Sequence, residues 1–161
     1  ALLKEAEKED FYLFAFVKFA LKTGRRICEI VSLEWDDIDF GKEIIRFQIG
    51  KKKGGKEIHY RKPPKSLFQT LFVLRHTNRQ KPFPYFPRKA WQRVRDRVDK
   101  AMGLPDGRFH ALRHRCATAL IEKGATLYDV QHYLCHSNPA TTTIYAHVSD
   151  QRDERIASFL E

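Results

Sequence analysis

Two β-prone runs, Ile44-Ile45-Arg46-Phe47-Gln48-Ile49 and Lys56-Glu57-Ile58-His59-Tyr60, meet across Lys53-Gly54-Gly55 in a chain whose other apolar residues recur at helical spacing. Glycines in so short a connection take the positive φ that a tight reversal needs, so the two runs predict a β-hairpin. A lone hairpin among helices gives a domain that is mainly α with a small antiparallel β-sheet, an α+β class. The 161 residues suit one such unit, since chains of this size bury roughly 70% of the surface they expose when unfolded.

The helices follow from apolar periodicity and its punctuation. Over residues 8–22, Phe11, Phe14, Ala15, Val17 and Leu21 recur near helical spacing, and Gly24 supplies a C-terminal cap. A second helix begins near Arg26, carries Ile27, Ile30, Val31 and Leu33 on one side, and stops at Trp35-Asp36-Asp37-Ile38. After Pro63-Pro64, the leucines Leu67, Leu71 and Leu74 predict a helix to about Arg75, and the prolines of 76–87 predict a loop. Trp91, Val94, Val98 and Met102 mark an amphipathic helix closed by Gly103. Residues 110–123 and 126–134 read as helices parted by Gly124, with Thr126 and Asp129 in an N-cap arrangement. Threonines after Asn138-Pro139 cap a short helix bearing Tyr145, and residues 150–160 form a last helix with Ile156, Phe159 and Leu160 on one face.

Charge narrows the partner. Lysine and arginine exceed aspartate and glutamate by 30 to 20, a net +10 that favours a polyanion. Lys51, Lys52 and Lys53 crowd the hairpin tip, and Arg88, Lys89, Arg93, Arg95 and Arg97 crowd another segment. Cys28, Cys116 and Cys135 are too few and too irregularly spaced for a disulfide framework, and all three fall in segments that read as helical. A reducing, cytoplasmic setting is expected. The chain opens with Ala-Leu-Leu-Lys-Glu, without a signal peptide, and has no apolar run near the ~18 residues of a membrane span. A first residue other than Met points to a piece of a longer chain.

One cluster carries chemistry. His110 and Arg113 are spaced i, i+3, so a helix brings both to one ligand; Leu134-Cys135-His136 and Tyr145 follow. Taken singly, each has a structural alternative, Arg26 pairing with Glu29 or Asp36, and Tyr145 filling a core. Together they suit attack on a phosphodiester. The pentacoordinate state puts extra charge on two non-bridging oxygens, which two planar guanidiniums can bind. A hydroxyl nucleophile must lose a proton and the departing sugar oxygen must gain one, tasks for histidine and lysine. A zinc site is not expected, because neither His110, His114 and Cys116 nor His132, Cys135 and His136 makes paired Cys-x₂-Cys or His-x₃-His spacing, and Arg113 would place a cation beside the metal.

These residues resemble the catalytic domain of the tyrosine recombinases, the phage-integrase and Xer-type enzymes. Thr23-Gly24-Arg25-Arg26-Ile27-Cys28-Glu29 is similar to the family's first box, Lys53-Gly54-Gly55-Lys56 to its β-hairpin, and His110-Ala111-Leu112-Arg113-His114 to H-x-x-R. Leu134-Cys135-His136-Ser137 is similar to L-G-H-S, and Thr142-Thr143-Ile144-Tyr145 to the nucleophile box. The resemblance implies a DNA breaking-rejoining fold and a site-specific recombinase or integrase, of the kind found on mobile elements, with no cofactor. It implies Tyr145 as nucleophile, Arg26 and Arg113 as phosphate clamp, and Glu29 as supporting acid. Lys53 would be general acid, His110 a proton carrier and His136 a donor to a non-bridging oxygen, while Lys51, Lys52 and Lys56 would contact DNA. His114 would be a surface or supporting residue.

Two positions depart from the family pattern. Cys135 stands at the usual glycine, expected as a small buried thiol that costs a close backbone approach, and Ile144 stands at a frequent arginine. The resemblance also implies double-stranded DNA as partner, a tetramer on DNA for the full-length protein, and a C-terminal segment docked on a neighbouring subunit. Residues 1–161 are expected to be the catalytic domain alone, since nothing in them resembles the family's N-terminal core-binding (SAM-like) domain. Two other readings use the same residues: a type IB topoisomerase-like nicking-closing enzyme and a catalytically silent DNA-binding module.

Overall fold

The computed structural model describes residues 1–50, 54–102, 109–135 and 149–160. Among them, helices α1 (Leu2–Glu9), α2 (Phe11–Thr23) and α3 (Ile27–Val31) lead into a sheet of β1 (Ile38–Asp39), β2 (Ile44–Gly50) and β3 (Lys56–Arg61). Helices α4 (Lys65–Arg75), α5 (Arg88–Met102), α6 (Ala111–Glu122), α7 (Leu127–Tyr133) and α8 (Ser149–Leu160) follow. The expected class, mainly α with a small antiparallel sheet, is the one observed.

Helix α2 is the axis of the fold. It buries Tyr12, Leu13, Ala15, Phe16, Val17, Phe19 and Ala20, and a helix apolar on most of its circumference belongs in a core. Phe16 meets Phe83, Phe86 and Phe109 at centroid separations of 5.2, 5.4 and 5.4 Å, within the range of favourable aromatic pairs. A second apolar cluster joins α6, α7 and α8 through Leu120, Val130, Tyr133, Ile156 and Leu160. The last helix thus packs on its own chain with two of the three residues expected to reach a neighbouring subunit, and Phe159 lies partly buried against the same cluster.

The sheet runs β1-β2-β3, antiparallel throughout, with Phe47 opposite His59 and Ile45 opposite Arg61. Gly54 and Gly55 at φ 84 and 88 make the turn, as the glycine pair predicts; β1 is too short to show in the sequence pattern. Strand β2 buries Ile45, Phe47 and Ile49. Strand β3 reverses the usual pattern, leaving Ile58 and Tyr60 exposed and turning Glu57, His59 and Arg61 toward the protein.

Two expectations need correction. The single helix over 8–22 is two helices, because Asp10 adopts extended backbone and its carboxylate accepts from Tyr12 N–H, capping α2. Three of the five cations expected as a basic patch on α5 are ion-paired rather than free. Arg93 and Arg97 bind Glu9 at 2.5 and 2.8 Å, Arg97 approaches Glu5 at 3.5 Å, and Arg95 pairs with Asp96.

Candidate functional site

Arg26 enters the site from the residue before α3. Its extended backbone places the N–H 3.0 Å from Glu29 Oε2, while its guanidinium lies 2.9 Å from Glu29 Oε1. One carboxylate therefore fixes both ends of the arginine. Glu29 is 8% exposed and Arg26 46%, so a buried anion holds a cation at the surface; Asp36 takes no part in this pair.

Arg113 comes from the first turn of α6 and points inward, at 4% exposure. Its Nη1 donates to the Gly24 carbonyl at 2.6 Å and its Nη2 to the Leu134 carbonyl at 2.9 Å. The planar fork thus bridges the loop after α2 to the turn after α7. Gly24 is required at this seam. It holds φ 64 as the C-cap of α2, and an added Cβ would lie 2.1 Å from Leu134 Cδ2.

His110, at the N-cap of α6, stays exposed, with its ring edge-on to His114 at 5.2 Å. Partial burial pulls the His110 imidazole below the ordinary histidine value, and the neighbouring charges of His114, Arg113 and Arg26 act in the same direction. Arg113 is brought down to about 10 by burial and by Arg25 and Arg26, which leaves it protonated at neutral pH. Arg26, Glu29, His110 and Arg113 are therefore neighbours in one electropositive site. Exposed Lys56 starts β3 and reaches Gln48 Oε1 at 3.4 Å. Lys51, Lys52, Lys53, His136 and Tyr145 lie outside the described residues.

Beside this site is a group that motif matching passes over. Arg25, 2% exposed, donates to the Tyr133 carbonyl and lies 4.7 Å from the Phe47 ring centre. Arg61 donates to the carbonyls of Tyr60 and His132, each at 2.7 Å, and its Nη2 lies 3.2 Å from Cys135 Sγ. Both guanidiniums cap the C-terminal end of α7, where carbonyls lack helical partners. The inward polar face of β3 was the available sequence signal, because His59 and Arg61 alternate with Ile58 and Tyr60.

Cys135 is not in a helix. It follows α7 at φ 53, and a non-glycine residue in that left-handed region costs about 1–2 kcal/mol. The expectation of a buried thiol holds at 7% exposure, but the cost of replacing glycine is left-handed backbone. Burial pushes the thiol up; Arg25, a His59 hydrogen bond and Arg61 outweigh it and bring Cys135 down to about 6. Buried Cys116 behaves oppositely, raised to about 12 chiefly by burial. Among the described residues, no three metal-ligating side chains are grouped to hold an ion, and no helix is long and apolar enough to cross a membrane.

Residues 1–152 match the family model described as "Phage integrase family". Over 154 residues the chain is 30% identical to tyrosine recombinase XerC of Corynebacterium glutamicum, an alignment covering 91% of this chain and 50% of the relative. The chain spans about half the length of the curated relatives it matches. Its fold is similar to the crystal structure of XerA recombinase, with TM-score 0.62 and 24% identity over 98% of this chain and 60% of that one. It is also similar to a lambda integrase dimer bound to a COC′ core site, with TM-score 0.59 and 19% identity over 88% of this chain and 56% of that one.

Proposed function

The chain belongs to the phage integrase family, and on that premise we propose that it is the catalytic domain of a tyrosine recombinase that cuts and rejoins double-stranded DNA at specific sites. The observation that carries the reading is that Arg26, Arg113 and exposed His110 lie within electrostatic reach of one another, with Glu29 holding the half-exposed Arg26. Two guanidiniums, one of them rigidly seated, suit the two non-bridging oxygens of a phosphate approaching pentacoordination.

In the proposed step Tyr145 Oη attacks the scissile phosphorus, forming a P–Oη bond as the P–O5′ bond breaks. The product is a 3′-phosphotyrosyl enzyme and a free 5′-hydroxyl. His110, held below the ordinary histidine value, is neutral near pH 7 and suited to accept the tyrosine proton. Lys53 gives its proton to the leaving 5′-oxygen, and His136 donates to a non-bridging oxygen. One ester replaces another, so rejoining by a partner strand's 5′-hydroxyl needs no ATP, and the roles assigned here use no metal. Lys51, Lys52 and Lys56 bind the DNA backbone, and the full-length protein acts as a tetramer on its sites.

Trapping on a nicked suicide DNA tests the reading. The full-length protein should give a covalent protein–DNA adduct on a denaturing gel, and Tyr145→Phe should abolish it without weakening DNA binding. An adduct that survives Tyr145→Phe removes that tyrosine from the mechanism. Binding with no adduct on any candidate site points to a silent DNA-binding module.

A further inference from the structure

Glu29, Asp37 and Asp129 are buried carboxylates, and each ion-pairs with a partly exposed arginine: Arg26, Arg46 and Arg155. Arg25 has no carboxylate within ion-pair distance among the described residues, and its Nε and Nη1 are buried without a hydrogen-bond partner. A buried guanidinium in that position is costly unless an anion compensates it. The group whose charge acts on it most among its neighbours is Cys135, whose sulfur lies 3.2 Å from Arg61 Nη2 and 3.8 Å from the Tyr133 carbonyl.

We propose that Cys135 works as a thiolate, an internal anion that holds Arg25 and Arg61 at the end of α7 and so sets the turn that follows that helix. Cys135 is a positioning residue in this role: it acts on the site through Arg25, Arg61 and the Leu134 carbonyl, and forms no bond to DNA. The geometry gives the charge a purpose. Arg25 and Arg61 both donate to the Tyr133 carbonyl, so two like charges converge on the end of α7, where the Cys135 sulfur lies 3.2 Å from Arg61 Nη2. Arg113, on α6, donates to Leu134 one residue before the sulfur.

Among the described residues, the charged groups around the sulfur come from four parts of the fold. Arg25 stands before α3, whose Glu29 couples to it. His59 and Arg61 come from β3, with Glu57 3.7 Å from His59. Arg113 comes from α6, and the His132 carbonyl at the end of α7 accepts from Arg61. Among the described residues these cations outnumber the carboxylates, and together they bring the thiol down to about 6 against the opposing effect of burial.

The chain supplies its own controls, since Cys28 is exposed and Cys116 is held near 12. In a Cys28→Ser background of the whole chain, ultraviolet thiolate absorbance should rise in one step near pH 6 and lose that step in Cys135→Ser. A Cys28→Ser protein with no step below neutral pH overturns the proposal.

The second measurement compares Cys135→Asp with Cys135→Asn, a nearly isosteric pair whose residues both tolerate left-handed backbone. This arm rests on the recombinase reading. Cys135→Asp should keep suicide-substrate cleavage close to the parent and hold it to lower pH, while Cys135→Asn loses about tenfold or more, as expected when a catalytic group is displaced. Equal cleavage by the two variants, with one pH profile, overturns the positioning role. If the unsubstituted protein forms no adduct, the recombinase reading fails, and the absorbance step still decides whether Cys135 is a thiolate.

Discussion

Gly24→Ala tests the seam that seats Arg113. The substitution carries two separable costs. The first is backbone: alanine at φ 64 costs about 1–2 kcal/mol. The second is steric, because the new Cβ would lie 2.1 Å from Leu134 Cδ2 and 3.4 Å from Cys116 Sγ. Leu134 is 2% exposed and has no solvent-facing rotamer to retreat into, so overpacking adds about 1–3 kcal/mol. The sum, about 2–5 kcal/mol, is a large share of the ~5–15 kcal/mol typical of a domain. Urea unfolding of Gly24→Ala, Leu134→Ala and the double variant separates the terms. Leu134→Ala alone should cost about 2–5 kcal/mol through the cavity it leaves. In that background Gly24→Ala should cost only its backbone share, giving a favourable coupling of about 1–3 kcal/mol. An additive cycle, or a Gly24→Ala loss below about 1 kcal/mol, would refute the close approach. Adduct formation should fall with stability in Gly24→Ala, because the Gly24 and Leu134 carbonyls are the acceptors that hold Arg113.

Arg113→Lys replaces a planar fork with a point charge and cannot donate to both carbonyls at once. It should lose about 1–3 kcal/mol of stability by chemical denaturation and about 10²–10³ in adduct formation, and full retention of both would dismiss the clamp. The His110 ring, followed by NMR, should titrate below 6.5 and move up toward that value in His114→Asn. With the folded value depressed, this group's contribution to stability is complete above 6.5 and is lost as pH falls toward the folded value. A titration at or above 6.5 that ignores His114→Asn would contradict the assigned neighbours.

The parts of this molecule legible in the sequence are those governed by local rules. Gly54-Gly55 announced the hairpin, Thr126 and Asp129 the start of α7, and Glu29 was one of the two acids expected beside Arg26. Asp10 escaped because a cap between two helices looks, in sequence, like one polar residue on a continuing helix. The arginines of α5 looked like a nucleic-acid surface because α1, which carries Glu5 and Glu9, had not been recognised as a separate helix against them. Arg25, Arg61 and Cys135 lie farther from local rules still. Their partners sit 108 and 74 residues away, and no periodicity reports which strand face turns inward.

The seating of Arg113 across Gly24 and Leu134 bears on how the chain is made. The Gly24 acceptor lies 89 residues before the arginine, and the Leu134 acceptor 21 residues after it. Synthesis proceeds from the N-terminus, so Arg26 and Glu29 can pair early, while Arg113 has both acceptors only once residue 134 has been added. A translation product broken off before that point carries the first arginine and its acid but no seated second one. Chain connectivity thereby acts as a completeness check, keeping the arginine pair unassembled in polypeptides that stop short of the closing turn.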